Sequence, residues 1–251
     1  MINFLICRRF LLSVPEDNSV PINQLLTALP RSEYQRLAPH LQFVSLSAGQ
    51  VLYEPGETIR EVYFPNRAMI SLVSIMEDGS TTEVGLVGNE GMVGLPVFLG
   101  GEFTTNCAIV QIPDGAMKLD ANVLKEEFHR GGELQRRLLL YTQALLTQVS
   151  QSAACNRQHT IEERLARWLL SVQDCIQKHE FPLTQEFIAN MLGIRRSGVT
   201  VAAATLQRAG MIRYSRGKIT IMDRENLEAA ACECYRLVQS ELMRLLDSRR
   251  G

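Results

Sequence analysis

The apolar residues of this chain change their spacing once, near Asp120, and that change divides the sequence into a β-rich half and a helical half. From Leu41 to Met117, short β-prone runs are separated by turns. The runs are Phe43 to Leu46, Val51 to Tyr53, Val62 to Phe64, Ile70 to Ile75 and Glu83 to Leu86; the turns include Ala48-Gly49-Gln50, Pro55-Gly56 and Asp78-Gly79-Ser80. Such regular punctuation predicts an antiparallel sandwich or roll. Between the last two runs a hairpin is expected, because Asp78-Gly79 accepts the positive φ that a tight turn requires.

After Asp120 the pattern is helical. Residues 133–155 contain no Gly or Pro, and Leu134, Leu138, Tyr141, Leu145 and Val149 recur at three- and four-residue intervals, which puts them on one helix face. The stripe is narrow, as in a coiled-coil seam between two copies; packing on the β domain is the alternative. A second helix is expected to open at Thr160-Ile161-Glu162-Glu163, where Thr160 and Glu163 can form a reciprocal capping box. Ile161, Leu165, Trp168 and Val172 give it an apolar side. The resulting division is an N-terminal tail (1–20), a β-roll sensor domain (21–122), a dimerisation helix and linker (123–157), and a C-terminal domain (158–251).

Size and charge agree with two modest domains. A chain of 251 residues is too long for one small core. Residues 1–155 carry 11 Lys and Arg against 16 Asp and Glu, and residues 156–251 carry 15 against 11, so the halves are −5 and +4. A basic C-terminal half suits phosphate binding at one end. The six cysteines, Cys7, Cys107, Cys155, Cys175, Cys232 and Cys234, show no framework spacing and read as free thiols of a reducing cytoplasm. Arg8-Arg9 interrupts the apolar Phe4-Leu5-Ile6 before a signal peptide could form, and no run approaches a membrane span. A cytoplasmic protein without a membrane partner is expected.

The segment from Leu183 onward carries the function. Thr184 can cap a short helix that Gly193 ends, and a second helix is predicted from Arg196 to Arg208 with Val199, Ala203 and Leu206 facing inward. Ala189 is small enough for two crossing helices, and Gly193 tolerates the turn between them. Met211 to Tyr214 and Lys218 to Ile221 then flank Ser215-Arg216-Gly217 as a basic hairpin, which makes the unit a winged helix-turn-helix. Thr184, Gln185, Arg195, Arg196, Ser197, Thr200 and Val201 are the expected DNA-facing residues. Arg can pair with guanine through two hydrogen bonds, and Val can meet a thymine methyl. Arg216 and Lys218 on the wing are expected at phosphates.

In this order of parts, and in Leu183 to Met222 above all, the chain resembles the Crp/Fnr family of transcription regulators. The resemblance covers roughly residues 22–222, and Gly79, Gly91 and Gly94 fall at turn positions of the roll. It implies an α+β fold, with an N-terminal antiparallel β-roll (double-stranded β-helix), a long dimerisation helix and a C-terminal winged helix-turn-helix. It also implies a homodimer on a near-palindromic operator with half-sites about one helical turn apart. RNA polymerase enters as a further candidate partner. Members that read DNA through Arg, then Glu, then a second Arg four residues on correspond here to Arg196, Ser197 and Val201. Only the first is kept, so a different operator sequence is expected.

The sensor departs further from the family. Cyclic-nucleotide-binding members carry Gly-Glu for the ribose and Arg-Ser or Arg-Thr for the phosphate; the matching stretches here are Gly94-Leu95-Pro96 and Thr104-Thr105. No Arg or Lys lies between Arg67 and Lys118 to offset a buried phosphate, so cyclic AMP is not expected. A neutral effector touching Gly94, Leu95, Pro96, Val97, Thr104, Thr105, Val149 and Ser150 is one reading, and no effector is the other. An iron-sulfur cluster is not expected, since Cys7 is the one N-terminal thiol. On a C-terminal helix beginning after Asp223, Cys232 and Cys234 would point to different faces and act as small apolar residues, so no metal is expected there. His40, His129, His159 and His179 stand apart from any nucleophile arrangement, and no catalytic site is expected. The rival reading is a ligand-binding regulatory module whose C-terminal domain contacts protein rather than DNA.

Overall fold

The computed structural model describes residues 21–246, so the expected tail over 1–20 and Cys7 lie outside the described residues. Short helices α1 (Gln24–Thr27) and α2 (Arg31–Leu37) precede strands β1 (Gln42–Leu46), β2 (Val51–Tyr53), β3 (Glu61–Pro65), β4 (Met69–Ile75) and β5 (Thr81–Val87). Helix α3 (Pro96–Leu99), strands β6 (Cys107–Ile112) and β7 (Asp114–Asp120), and helices α4 (Ala121–His129) and α5 (Glu133–Gln158) follow. The strands form two antiparallel sheets, ordered β1-β7-β3 and β2-β6-β4-β5. The five expected strands are present, the β4–β5 hairpin included: Gly79 takes φ of 80°, and Asp78 accepts from the Ser80 amide at 2.9 Å.

The C-terminal part comprises α6 (Ile161–Ile176), β8 (Glu180–Pro182), α7 (Gln185–Leu192), α8 (Arg196–Arg208), β9 (Ile212–Ser215), β10 (Lys218–Ile221), α9 (Arg224–Ala230) and α10 (Cys234–Leu246). Thr160 and Glu163 form the expected capping box at the start of α6. Two features were not foreseen. The wing has a third strand, in the order β8-β10-β9, and the C-terminal helix is broken, because α9 stops at Ala230 and α10 starts only at Cys234.

The four-stranded sheet buries both of its faces. Along β4, Ile70 and Leu72 point into the roll, whereas Met69 and Val73 point the other way and join the core of the C-terminal part together with Leu86 and Ile112. Successive strand residues alternate in direction, so an unbroken buried run such as Met69 to Val73 requires cover on both sides. That cover is α6, through Leu165, Trp168, Leu169 and Val172.

One part-buried polar link crosses the seam. Glu83 of β5 accepts from Trp168 Nε1 at 2.8 Å and from Ser71 Oγ at 2.5 Å. Burial of this carboxyl raises its pKa from 4.5 to about 7, against the lowering effect of both donors and of Arg167.

Helix α5 is used on several sides. Leu134, Leu138 and Tyr141 are buried in the roll core of their own chain, Tyr141 donates to the Met92 carbonyl at 3.3 Å, and Leu145 packs on the same core. Of the residues expected to seam a dimer, Leu134, Leu138 and Tyr141 are already covered by the roll, where a second copy cannot reach them, whereas Leu145 and Val149 are half-buried. A second side receives α10, running antiparallel, since Gln151 meets Cys234 near one end and Arg137 meets Leu246 near the other. A third side is open. There Leu139 and Leu146 are 48% and 65% exposed, and Thr142, Val149 and Ala153 continue the same heptad spacing. This open stripe lies one residue on from the buried one, which is about 100° around a helix.

The raised Glu83 pKa fixes a sign for pH dependence. The folded state holds its proton more tightly than the unfolded chain, so this group's contribution is full below pH 4.5 and is lost as pH rises through about 7, by at most about 3 kcal/mol. Urea unfolding from pH 4.5 to 8 should show stability falling across that window, and Glu83→Gln should flatten the fall. An identical slope in the variant would remove Glu83 as its source.

Candidate nucleic-acid interface

Helix α7 is capped by Thr184, whose hydroxyl accepts from the Phe187 amide at 3.2 Å, and it is ended by Gly193 with φ of 61°. The amides of Gly193 and Ile194 then bond back to Asn190 and Ala189, which closes the turn. Arg164 of α6 donates through Nη2 to the Leu192 carbonyl and so satisfies an acceptor that the helix end leaves open. Ala189 and Val199 are buried where α7 and α8 meet, with Ala202, Ala203 and Leu206 behind them. Gly198 is also constrained, because a Cβ there would come within 3.1 Å of Ile161.

With its inner face committed to this core, α8 presents Arg196, Ser197, Thr200 and Val201 to solvent, and Arg195 lies exposed at its N-cap. Val201 is 61% exposed, a cost for an aliphatic side chain unless something apolar meets it. Thr200 Oγ1 donates to Gln185 Oε1 at 2.8 Å, so Gln185 and the recognition face are held in register.

The wing turn consists of Arg216 and Gly217, with φ of 50° and 73°. Two positive values are the type I′ geometry that suits a two-residue hairpin, and they push Arg216 out at the tip. A polar cleft between the turn and α8 is lined by Thr184, Gln185, Arg196, Tyr214, Ser215 and Arg216. Tyr214 and Ser215 of this cleft are not among the DNA-facing residues expected from the sequence, and Tyr214 has a positioning part. Its hydroxyl donates to the Leu183 carbonyl, just before the Thr184 cap, at 3.0 Å and its amide to Gln207 of α8 at 2.7 Å, which fastens the wing to α8 and to the segment leading into α7. Lys218, expected at a phosphate, bonds at 3.2 Å to Glu180 on the added strand β8, and this pairing holds the Glu180 carboxyl below its usual pKa. The pair is solvent-exposed, so Glu180 offsets part of the charge that Lys218 presents to an anion.

The expected effector residues are not brought together as one site. Gly94 abuts Val62, and Leu95, Val97 and Phe98 are buried in the roll core, where Phe98 stacks on Phe128 at 4.8 Å. Side chains thus fill the space beside α3. Pro96 starts α3, Thr104 sits in the loop after it and accepts from the Gly56 amide, and Thr105 is exposed. Val149 and Ser150 lie on α5, half-buried and exposed respectively, next to Gln148, which bonds the Leu86 amide.

The expectation for Cys232 and Cys234 fails for a structural reason. Cys232 lies in the break before α10, not on a helix, so the two thiols converge with Cys155 instead of pointing apart. No helix among the described residues is long and apolar enough to cross a membrane.

Comparison with known proteins agrees with this layout. The cyclic nucleotide-binding domain family matches residues 43–126, and the Crp-like helix-turn-helix domain family matches residues 163–230. FixK2 from Bradyrhizobium japonicum is 17% identical over 76% of this chain and 98% of its own, with a TM-score of 0.65. A CRP/FNR-family transcriptional regulator from Thermus thermophilus is 24% identical over 76% and 98%, with a TM-score of 0.62. The c-di-GMP-responsive global regulator CLP of Xanthomonas campestris is 13% identical over 76% and 99%, also at 0.62. At these identities the likeness speaks for the fold. Among curated proteins, none matches the chain. The two domain matches, in this order on a chain whose α8 and wing turn outward together, decide the matter: it belongs to the Crp/Fnr family and is a DNA-binding transcription regulator rather than an enzyme.

Proposed function

We propose that the protein acts as a cytoplasmic homodimer on a near-palindromic operator, each copy laying α8 in a major groove with Arg216 on the flanking phosphates. The supporting observation is the solvent-facing set Arg195, Arg196, Ser197, Thr200 and Val201, held rigid from behind by Val199 and from the side by Gln185. Arg196 offers a bidentate donor for guanine and Val201 an apolar contact for a thymine methyl. Arg216 supplies charge without base readout.

The open stripe of Leu139, Leu146 and Val149 is the proposed dimer seam. Its apolar residues need cover, and pairing two such stripes sets a fixed distance between recognition helices. Any effector of the roll is proposed to be uncharged or absent, since the space beside α3 holds apolar side chains and no cation lies between Arg67 and Lys118. An effector would act only through a difference in affinity between two arrangements of the dimer. RNA polymerase is proposed as a further partner, on the ground of function alone.

Selection of operators from random duplexes should return half-sites about one helical turn apart. Against the selected operator, Arg196→Ala should weaken binding by about 1–3 kcal/mol and relax one base position. Arg216→Ala should lower the salt slope by about one while leaving base preference intact. Lys218→Ala should cost less, because Lys218 starts out paired with Glu180. Equal affinity of the wild type for selected and random duplexes would refute specific readout.

The seam is tested separately. Leu146→Glu should give a monomer by light scattering with unchanged far-UV circular dichroism, and operator affinity should fall with it. A dimeric Leu146→Glu protein would move the interface elsewhere.

A further inference from the structure

Three thiols and one imidazole meet where α5 gives way to α6. Cys155 occupies the last turn of α5 and His159 is its C-cap, one helical turn on; Cys232 arrives from the break between α9 and α10, and Cys234 is the first residue of α10. Their donor atoms all lie within 4.8 Å of one another. Cys155 Sγ and Cys232 Sγ are 3.5 Å apart, and Cys234 Sγ and His159 Nδ1 are 3.5 Å apart. We propose that Cys155, His159, Cys232 and Cys234 form a tetrahedral site for one zinc ion, which clamps α10 and the C-terminal break onto the junction of α5 and α6.

The distances suit a single ion. With Zn–S near 2.3 Å and Zn–N near 2.0 Å, the edges of a tetrahedron are about 3.8 Å between two sulfurs and about 3.5 Å between sulfur and nitrogen. Three thiolates with one imidazole is a closed structural donor set for zinc. A polynuclear iron-sulfur cluster would spread its ligands more widely than these four donors are spread. A disulfide between Cys155 and Cys232 would need a bond of about 2.05 Å in place of the present contact.

The surroundings have the form of a support for such an ion. While His159 turns Nδ1 toward the thiols, its Nε2 lies 3.2 Å from Glu233 Oε2. A carboxylate on the far nitrogen fixes the tautomer that leaves Nδ1 free to coordinate and raises its basicity. Gln151 Nε2 donates to Cys234 Sγ at 3.1 Å, a hydrogen bond suited to a thiolate. Three thiolates on a divalent ion leave one net negative charge, and the guanidinium groups of Arg164 and Arg167 lie within electrostatic reach of Cys155. Arg164 Nε and Arg167 Nε are buried without a hydrogen-bond partner among the described residues.

The buried cysteines also stand apart from the aliphatic interior. Cys155, Cys232 and Cys234 are buried against one another, as a cluster separate from the two larger hydrophobic cores. Entry from solvent is available at Glu233, three-quarters exposed, beside His159.

The site would tie together the joint on which the placement of α8 depends, and its regulatory use rests on the DNA-binding function; zinc content does not. The test uses the full-length protein, purified under reducing conditions without chelator and without metal-affinity resin. Elemental analysis should find about one zinc per chain. The cobalt-substituted protein should show the thiolate-to-cobalt charge-transfer band and the intense visible bands of a tetrahedral centre. Cys155→Ser and Cys232→Ser should lose the metal. Because those variants could fail to fold, Glu233→Gln provides the second measure: it should stay folded and lose zinc to a competing chelator about 10-fold or more readily than the wild type. Chelation should lower Tm and weaken operator binding in the wild type.

Substoichiometric zinc with three freely alkylated thiols, a Cys155–Cys232 disulfide in the reduced preparation, or stoichiometric iron would each overturn the assignment. Zinc present in a protein that ignores DNA would leave the site standing and refute the operator reading instead.

Discussion

The structure depends on one sheet being covered on both sides. Strand β4 sends Ile70 and Leu72 into the roll and Met69 and Val73 into the C-terminal core, so the two halves of the chain share a wall rather than hang from a linker. Burial of each large aliphatic side chain on either side is worth about 1.5–3 kcal/mol. Glu83 is the polar group caught in that wall, and its bonds to Trp168 and Ser71 fix how the sheet and α6 lie against each other. The turn between α7 and α8 is seated on the same sheet: a Cβ at Gly193 would stand 3.2 Å from Thr82. Strand β5 of the roll and the turn that joins the two reading helices are therefore in direct contact.

Helix α5 distributes its surface according to what each neighbour can bury. The roll takes Leu134, Leu138 and Tyr141, and α10 takes the side that includes Arg137 and Gln151. A stripe through Leu139 and Leu146 is left for a partner. A helix covered on two sides by its own chain cannot shift without moving both covers. Its C-terminal end is where the cysteines and His159 collect, just before the capping box that starts α6. A clamp at this point would hold three elements in a fixed relation: the end of α5, the start of α6 and the break before α10.

Much of the site was legible in the residues because it is built from local rules. Thr184 as cap, Gly193 as stop and Arg216-Gly217 as turn each act over four residues or fewer, and each holds its place. The exposed face of α8 followed from the same reasoning, since marking Val199, Ala203 and Leu206 as inward leaves Arg196, Ser197, Thr200 and Val201 outward. Strand β8 was missed because Glu180–Pro182 is too short to show a period, and its existence decides that Lys218 begins in a pair with Glu180. The expected effector residues rest on a different footing. Gly94 to Val97 were placed by alignment with a motif the chain lacks, and apolar packing governs that stretch instead.

The sequence alone determined the β-roll strands up to β5, the long helix α5 and the helix-turn-helix with its hairpin, because hydrophobic period, caps and turn residues act within a few positions of one another, but not the short strand β8 or the break between α9 and α10. Tertiary structure decided which of two apolar stripes on α5 meets the roll, since Leu138 and Leu139 are equally hydrophobic and only the neighbouring sheet distinguishes them. It likewise decided that Cys155 and His159 meet Cys232 and Cys234, residues more than seventy positions apart. No spacing rule connects such distant pairs; the antiparallel packing of α10 on α5 does.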